Sequence, residues 1–282
     1  MKINFTKMHG CGNDFVVIDA TADLKKWNPS LNEAAFLLDR HFGIGGDQLL
    51  IIYPSEIADM KMAIFNPDGS EVEMCGNGIR CCALYAKNHG LVDKNEMTVE
   101  TLAGIIKPVI EDECVRVDMG EPKLNASEIP VIGLSGHVIN IEPPKIESNF
   151  NLPKMTCVSM GNPHTVFFVN DVNAVPLENI GKKVETNSIF PNKTNVEFVQ
   201  ILNVKTVKMR VWERGAGITL ACGTGACGTV VAGILSGKLE KNVTVILDGG
   251  ELNISWNGVG TPVFMTGPAE EVFSGKIENY DK

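Results

Sequence analysis

Two short stretches combine a nucleophilic side chain with a backbone able to stabilise its charge. Cys75 stands directly before Gly76-Asn77-Gly78, and Cys222 directly before Gly223-Thr224-Gly225. Each is followed by a helix-forming run that reaches a glycine, Gly90 or Gly237. Glycine there is a natural stop, because it takes the left-handed conformation that ends helices. A cysteine at the start of such a helix faces unpaired N–H groups and the positive end of the helix dipole, which favour a thiolate. The same N–H groups bind a carboxylate or an oxyanion. One such motif alone reads equally well as a small buried cysteine at a tight turn. The repetition favours chemistry. The cysteines lie 147 residues apart (222 − 75 = 147), and so do Gln48 and Asn195. Asn66 and Glu213 each lie nine residues before their motif cysteine. Asn13 and Asn162 each follow a glycine ahead of an apolar run. Self-similarity at one long period reads as an internal duplication, with one thiol from each half.

The surrounding residues admit competing readings. Glu213-Arg214 is either a surface ion pair of little consequence or a carboxylate for a substrate ammonium beside a guanidinium for a substrate carboxylate. Its place just ahead of the Cys222 motif favours the second. Asn13, Asn66, Asn162 and Asn195 are turn residues by type. At duplicated positions they suggest a ring of neutral amides around a polar ligand. His164 reads as a neighbour of the site or as an ordinary polar turn residue. Gly223-x-Gly225-x-x-Gly228 matches a dinucleotide fingerprint, but the first motif lacks the third glycine, and a nucleotide fold needs no paired cysteines. Metal binding is not expected, since no Cys-x-x-Cys or His-x-x-x-His spacing occurs. Cys11, Cys81, Cys82, Cys114, Cys157 and Cys227 read as core or near-surface thiols. A thiol-redox protein or a non-catalytic binding module stands as the competing class.

At 282 residues, 44% hydrophobic and 21% charged, the chain is long enough for two domains with ordinary buried cores. A net charge of −9 argues against nucleic acid as the main partner. Met1 to Phe15 has no signal-peptide core, and no run of 18 apolar residues occurs, so a cytoplasmic protein with free thiols and no membrane span is expected.

The elements that must position these groups follow from periodicity. Lys2 to Met8 and Phe15 to Ile18 read as strands around a His9–Asp14 turn. Ser30-x-x-Glu33 has the form of a capping box opening a helix with Leu31, Ala34, Ala35, Leu37 and Leu38 on its apolar side. Strands are expected over 48–53, 60–65, 97–101, 105–110 and 114–119, with 43–47 a turn and Gly120-Glu121-Pro122 a boundary. In the second half, strands are expected over 138–141, 156–160, 165–169, 196–201, 207–212, 243–247, 252–256 and 262–266, with Gly161–His164 a turn. The Cys222 helix carries no charge and many small residues, which predicts burial within a curved sheet.

His9-Gly10-x-Gly12-Asn13-Asp14-Phe15, Asp68-Gly69-Ser70-Glu71, Cys75-Gly76-Asn77-Gly78-x-Arg80-Cys81, Gly161-Asn162-Pro163-His164, and Trp212-Glu213-Arg214-Gly215 through Ala221-Cys222-Gly223-Thr224-Gly225-Ala226 together resemble the diaminopimelate epimerases. The resemblance runs in order over the whole chain. Proline racemases share the cysteine pair but usually carry His at the position of Asn77 and lack the Glu-Arg pair. Ile218 departs from the family, which often has a glutamate there. The resemblance implies an α+β fold of two similar domains, each a curved mixed sheet around a central helix, with the site in the cleft between them. It places the halves at 1–119 with 267–282 returning, and 120–266. It also implies a homodimer, no cofactor (pyridoxal phosphate included), and interconversion of L,L- and meso-diaminopimelate for lysine and cell-wall synthesis. Cys75 and Cys222 would be catalytic. Asn13, Gln48, Asn66, Gly76, Asn77, Asn162, Asn195, Glu213, Arg214, Gly223 and Thr224 would bind substrate. His164 and Glu213 would tune the thiols.

Overall fold

A computed structural model describes residues 2–24 and 27–278. The expectations at Met1 and 279–282, the ends assigned to the first half, lie outside these residues. The chain divides into two compact units, Met1–Val117 with Gly267–Lys282, and Asp118–Thr266. The first carries β1 (Lys2–Gly10), β2 (Asn13–Asp19), α1 (Leu31–Leu38), β3 (Gln48–Tyr53), β4 (Met60–Phe65), α2 (Gly76–Asn88), β5 (Val99–Thr101), β6 (Gly104–Ile106), β7 (Val109–Glu111) and β8 (Cys114–Asp118). The second carries β9 (Met155–Ser159), β10 (Pro163–Val169), α3 (Leu177–Glu185), β11 (Asn195–Asn203), β12 (Thr206–Glu213), β13 (Gly217–Thr219), α4 (Gly223–Leu235), β14 (Asn242–Leu247), β15 (Gly250–Trp256) and β16 (Val263–Pro268). β17 (Glu270–Glu278) pairs antiparallel with β1 in the first unit.

Both units follow one plan. In the first, β1–β2 is antiparallel, β2–β3 parallel across α1, β3–β4 antiparallel, β4–β5 parallel across α2, and β5–β6 antiparallel. In the second, β9–β10 is antiparallel, β10–β11 parallel across α3, β11–β12 antiparallel, β12–β14 parallel across α4, and β14–β15 antiparallel. Parallel neighbours need a long crossover, and each crossover here is built on a helix. The duplication read from the sequence is therefore a duplication of topology.

Strand alternation gives each sheet two buried faces. On β3, Leu49 and Ile51 join the cluster formed with Ala34, Leu37 and Leu38 of α1, while Leu50 points the other way and approaches Gly78 of α2. On β11, Val196 and Phe198 join the cluster of Leu177, Ile180 and Val184 of α3, while Glu197 points the other way and approaches Gly225 of α4.

Several local expectations need correction. Ser30 and Glu33 do form the capping box, worth about 1 kcal/mol. Leu31, however, is 64% exposed, because it is the first helical residue and lies off the buried stripe of Ala34, Leu37 and Leu38. The run 105–110 breaks into β6 and β7 around Pro108, which cannot donate to a ladder. The strand expected over 138–141 is absent: only isolated bridges form at His137 and Ile141, with Asn140 between them at φ 52°. Pro163 and His164 belong to β10 and not to the turn. The sequence reading missed α3 altogether. Gly181 at its centre lowers helix propensity by about 1 kcal/mol, yet a Cβ there would lie 2.5 Å from Trp212 Cβ. The glycine is there to let the indole pack.

Candidate active site

Cys75 is the N-cap of α2 and is half-buried. Its sulfur accepts from the N–H of Gly78 at 3.4 Å and lies 4.0 Å from Asn13 Oδ1. Asn77 Nδ2 donates to the same Asn13 oxygen at 3.0 Å. Asn13 Nδ2 in turn donates to Asp47 Oδ2 at 2.8 Å. Arg80, fully buried one turn into α2, donates from Nη1 to Asn77 Oδ1 at 3.0 Å and to Gly76 O at 3.2 Å, and from Nε to Pro268 O at 3.1 Å. This guanidinium locks the first turn of α2 against the β16–β17 connection. Gln48 Nε2 donates to Asn66 Oδ1 at 3.0 Å, so these two expected ligands are neighbours. Beneath Asn13, Asp14 pairs with Lys7 and Arg40. Burial alone would raise its pKa, but hydrogen bonds from Arg40 and Lys7 outweigh this and hold it well below the usual carboxylate range.

Cys222 is the N-cap of α4 and is 5% exposed. Burial pushes its thiol well above the ordinary value, and the carboxylates of Glu213 and Glu197 add to the shift, against smaller opposing hydrogen bonds from Thr224 and the Gly225 N–H. Its sulfur lies 3.5 Å from Thr224 Oγ1, and Asn162 Nδ2 donates to that hydroxyl at 3.2 Å. His164 Nε2 meets Asn162 Oδ1 at 3.0 Å, and its Nδ1 meets Glu197 Oε1 at 2.6 Å, with both His164 and Glu197 fully buried. Asn195 braces the backbone, donating to Pro163 O at 2.9 Å and accepting from the Arg214 N–H at 2.9 Å. Glu213 accepts a short hydrogen bond from Thr219 Oγ1. Arg214 is exposed and donates from Nη1 to Asn192 O at 3.1 Å. Ile218 on β13 pairs with Trp212 and is 46% exposed.

The glycines of the apparent dinucleotide fingerprint have other work. A Cβ at Gly225 would lie 2.8 Å from Glu197 Oε1 and 3.2 Å from Cys222 Sγ, and one at Gly228 would lie 3.2 Å from His164 Cβ. Each interior helix glycine costs about 1 kcal/mol relative to alanine. That cost lets a buried carboxyl and an imidazole reach the helix beside the thiol. Sequence reasoning missed Glu197. The available signal was a lone glutamate inside Val196-Glu197-Phe198-Val199, 147 residues after Leu50. The other thiols are buried or, for Cys114, half-buried. Burial pushes Cys157 up to about 12. Among the described residues, no three His, Cys, Asp or Glu side chains converge as metal ligands would.

The arrangement supplies, in each unit, a thiol at a helix N-terminus beside polar amides. This suits acid–base chemistry at a carbon acid whose carboxylate sits on the helix N–H groups. Solved structures share the fold. A PhzF-family phenazine biosynthesis protein from Bacillus anthracis matches with a TM-score of 0.71, over 99% of this chain and 100% of its own, at 16% identity. A hydroxyproline epimerase from Agrobacterium vitis matches with a TM-score of 0.68, over 98% of this chain and 91% of its own, at 14% identity. The class is thus the two-unit α+β fold that PhzF proteins share with epimerases of this type. Sequence narrows it. The family model described as diaminopimelate epimerase matches residues 5–125 and 156–272. Diaminopimelate epimerases from Pelotomaculum thermopropionicum (52% identical over 97% of this chain and 98% of theirs) and Methanococcus maripaludis (50% over 98% and 100%) align nearly end to end. The chain belongs to the diaminopimelate epimerase family.

Proposed function

We propose that this protein interconverts L,L- and meso-diaminopimelate with one of Cys75 and Cys222 removing the α-proton as thiolate while the other, as thiol, delivers its own proton to the opposite face of the same carbon. The observation that supports the reading is the pair of cysteine-capped helices at equivalent positions of two units that share one core plan. Inverting an α-carbon needs a base on one face and an acid on the other, and a thiolate with a thiol supplies both in either direction. The helix tips at Gly76-Asn77 and Gly223-Thr224 would hold the reacting carboxylate, taking up charge without pyridoxal phosphate. Arg214, Glu213, Asn13, Gln48, Asn66, Asn162 and Asn195 would hold the distal amino-acid end, with His164 and Glu213 tuning the second thiol. Coupling between the two thiols keeps their protonation states opposite. The family also supports a cytoplasmic homodimer serving lysine and cell-wall synthesis. The test is incubation of the purified chain with L,L-diaminopimelate and, separately, the meso form, followed by chiral chromatography. Each should yield the other with no added cofactor. No interconversion, or turnover only with a partner disulfide, would favour a redox protein.

A further inference from the structure

The second thiol stands at the end of a hydrogen-bonded chain whose directions can be worked out. Asn162 Oδ1 can only accept, so His164 Nε2 carries a hydrogen and donates across their 3.0 Å contact. Asn162 is then turned so that its Nδ2 donates to Thr224 Oγ1 at 3.2 Å. The single Thr224 hydrogen is thereby free to point at Cys222 Sγ, 3.5 Å away. At the far end, Glu197 Oε1 and His164 Nδ1 lie 2.6 Å apart, so one proton must lie between them. Glu197 Oε2 is buried with no hydrogen-bond partner among the described residues, which disfavours a bare carboxylate. Burial likewise pushes the Glu197 carboxyl up.

We propose that Glu197 is a positioning residue for Cys222: by occupying the Nδ1 edge of His164, it sets the relay's direction so that Thr224 donates to the cysteine sulfur. Without that carboxyl, the imidazole can move its hydrogen to Nδ1. Nε2 then accepts, Asn162 turns over, and the Thr224 hydroxyl is drawn to the amide oxygen and away from sulfur. The inference rests on Cys222 being one of the two reacting thiols. In the first unit, Leu50 occupies the position of Glu197 and its Cδ2 lies 3.1 Å from a Cβ built on Gly78, so an apolar side chain satisfies the same packing. The charged or titratable groups facing Cys222 are His164 from β10, Glu197 from β11 and Glu213 from β12; α4 itself carries no charged residue, and its one titratable side chain is the buried thiol of Cys227.

The experiment labels the folded, substrate-free protein with iodoacetamide across a pH series and follows Cys222 and Cys75 separately by peptide mass. Glu197 and His164 together carry one shared proton and no net charge, as Leu beside a neutral imidazole would. The change in Glu197→Leu therefore reports the lost donor and not a changed field. Cys222 labelling should slow roughly fivefold at a fixed near-neutral pH, its profile moving to higher pH, while Cys75 is unchanged. Turnover should fall roughly tenfold in kcat with KM within about twofold. Glu197→Gln, whose amide N–H donates to Nδ1, should lose less than Glu197→Leu on both measures. In a Thr224→Val background, Glu197→Leu should add nothing. Should the leucine variant not fold, Glu197→Met takes its place. Unchanged or faster Cys222 labelling in Glu197→Leu, equal losses with Gln and Leu, or an additive effect on Thr224→Val would each overturn the relay. Labelling needs no substrate. Its failure is thus separable from failure of the functional reading, which full turnover in Cys222→Ala would reveal.

Discussion

Cys75 and Cys222 cap equivalent helices in two copies of one plan, yet their surroundings differ in kind. In the first unit the equivalent strand positions hold the buried Phe15 and Leu50, and the ionic anchor is Arg80, which rises from within the helix. Around Cys222 the equivalent strand positions carry His164 and Glu197, and the position of Arg80 is taken by Cys227. Asn13–Asn77 on one side answers Asn162–Thr224 on the other, at 3.0 and 3.2 Å. The duplicated backbone thus supplies the same helix-tip N–H groups twice. The side chains then make one thiol half-buried with its sulfur hydrogen-bonded to Gly78, and the other buried among carboxyls. A reaction that needs one thiolate and one thiol at any moment uses that inequality.

The largest effect should come from the thiols themselves. Cys75→Ala and Cys222→Ala should each lower epimerisation by roughly a thousandfold or more while the protein stays folded by circular dichroism. Cys227→Ala, one turn inside the second helix, should stay active. Normal turnover in either of the first two would remove the pairing on which the comparison rests.

Next comes the anchor found only in the first unit. Arg80→Leu strips buried donors from Asn77, Gly76 and Pro268, and each orphaned acceptor costs about 1–3 kcal/mol. Thermal unfolding should shift down by several degrees, with lost activity following the freed Asn77. A variant as stable as the parent would mean that the first helix tip is held by its backbone alone.

Much of this site was legible in the sequence, and the missing parts have physical reasons. The cysteine motifs, both long helices and the capping box depend on local spacing, which sequence displays directly. Glu197 was missed because a strand residue's partner lies on another element, and a carboxylate flanked by valine and phenylalanine carries no local signal of an imidazole 2.6 Å away. The helix α3 was missed because Gly181 answers to Trp212, thirty-one positions along the chain. His164 was placed in a turn because Gly161-Asn162-Pro163 precedes it, whereas its register opposite Asn195 and Val158 belongs to the sheet.

Arg214 sharpens the comparison from the substrate side, since its equivalent ahead of Cys75 is Pro67. Lysine keeps the charge but not the planar two-point contact. Arg214→Lys should lower kcat/KM by roughly tenfold, with labelling of both cysteines unchanged. Parent-like efficiency would make Arg214 a bracket for Asn192 and no more.

The smallest effects should separate the two helix starts. Gly78→Ala adds a methyl 3.1 Å from Leu50 Cδ2, which yields easily, and alanine gains about 1 kcal/mol of helix propensity, so stability should hold within that margin. Gly225→Ala drives the same methyl to 2.8 Å from Glu197 Oε1, which is pinned to His164. It should lose several-fold in kcat beyond any change at 78. Equal responses at both positions, measured by turnover and thermal unfolding, would erase the contrast between the two halves.

The central claim is that one cysteine takes the α-proton from one face of the carbon while the other delivers a different, solvent-derived proton to the opposite face. It is tested most directly by initial-rate turnover of L,L-diaminopimelate in deuterium oxide, with product and remaining substrate separated and their α-deuterium measured. Removal of hydrogen by one thiol and delivery of solvent hydrogen by the other predicts product carrying one α-deuterium while unreacted substrate stays protonated early in the reaction. Product that retains the substrate's own α-hydrogen would contradict the account.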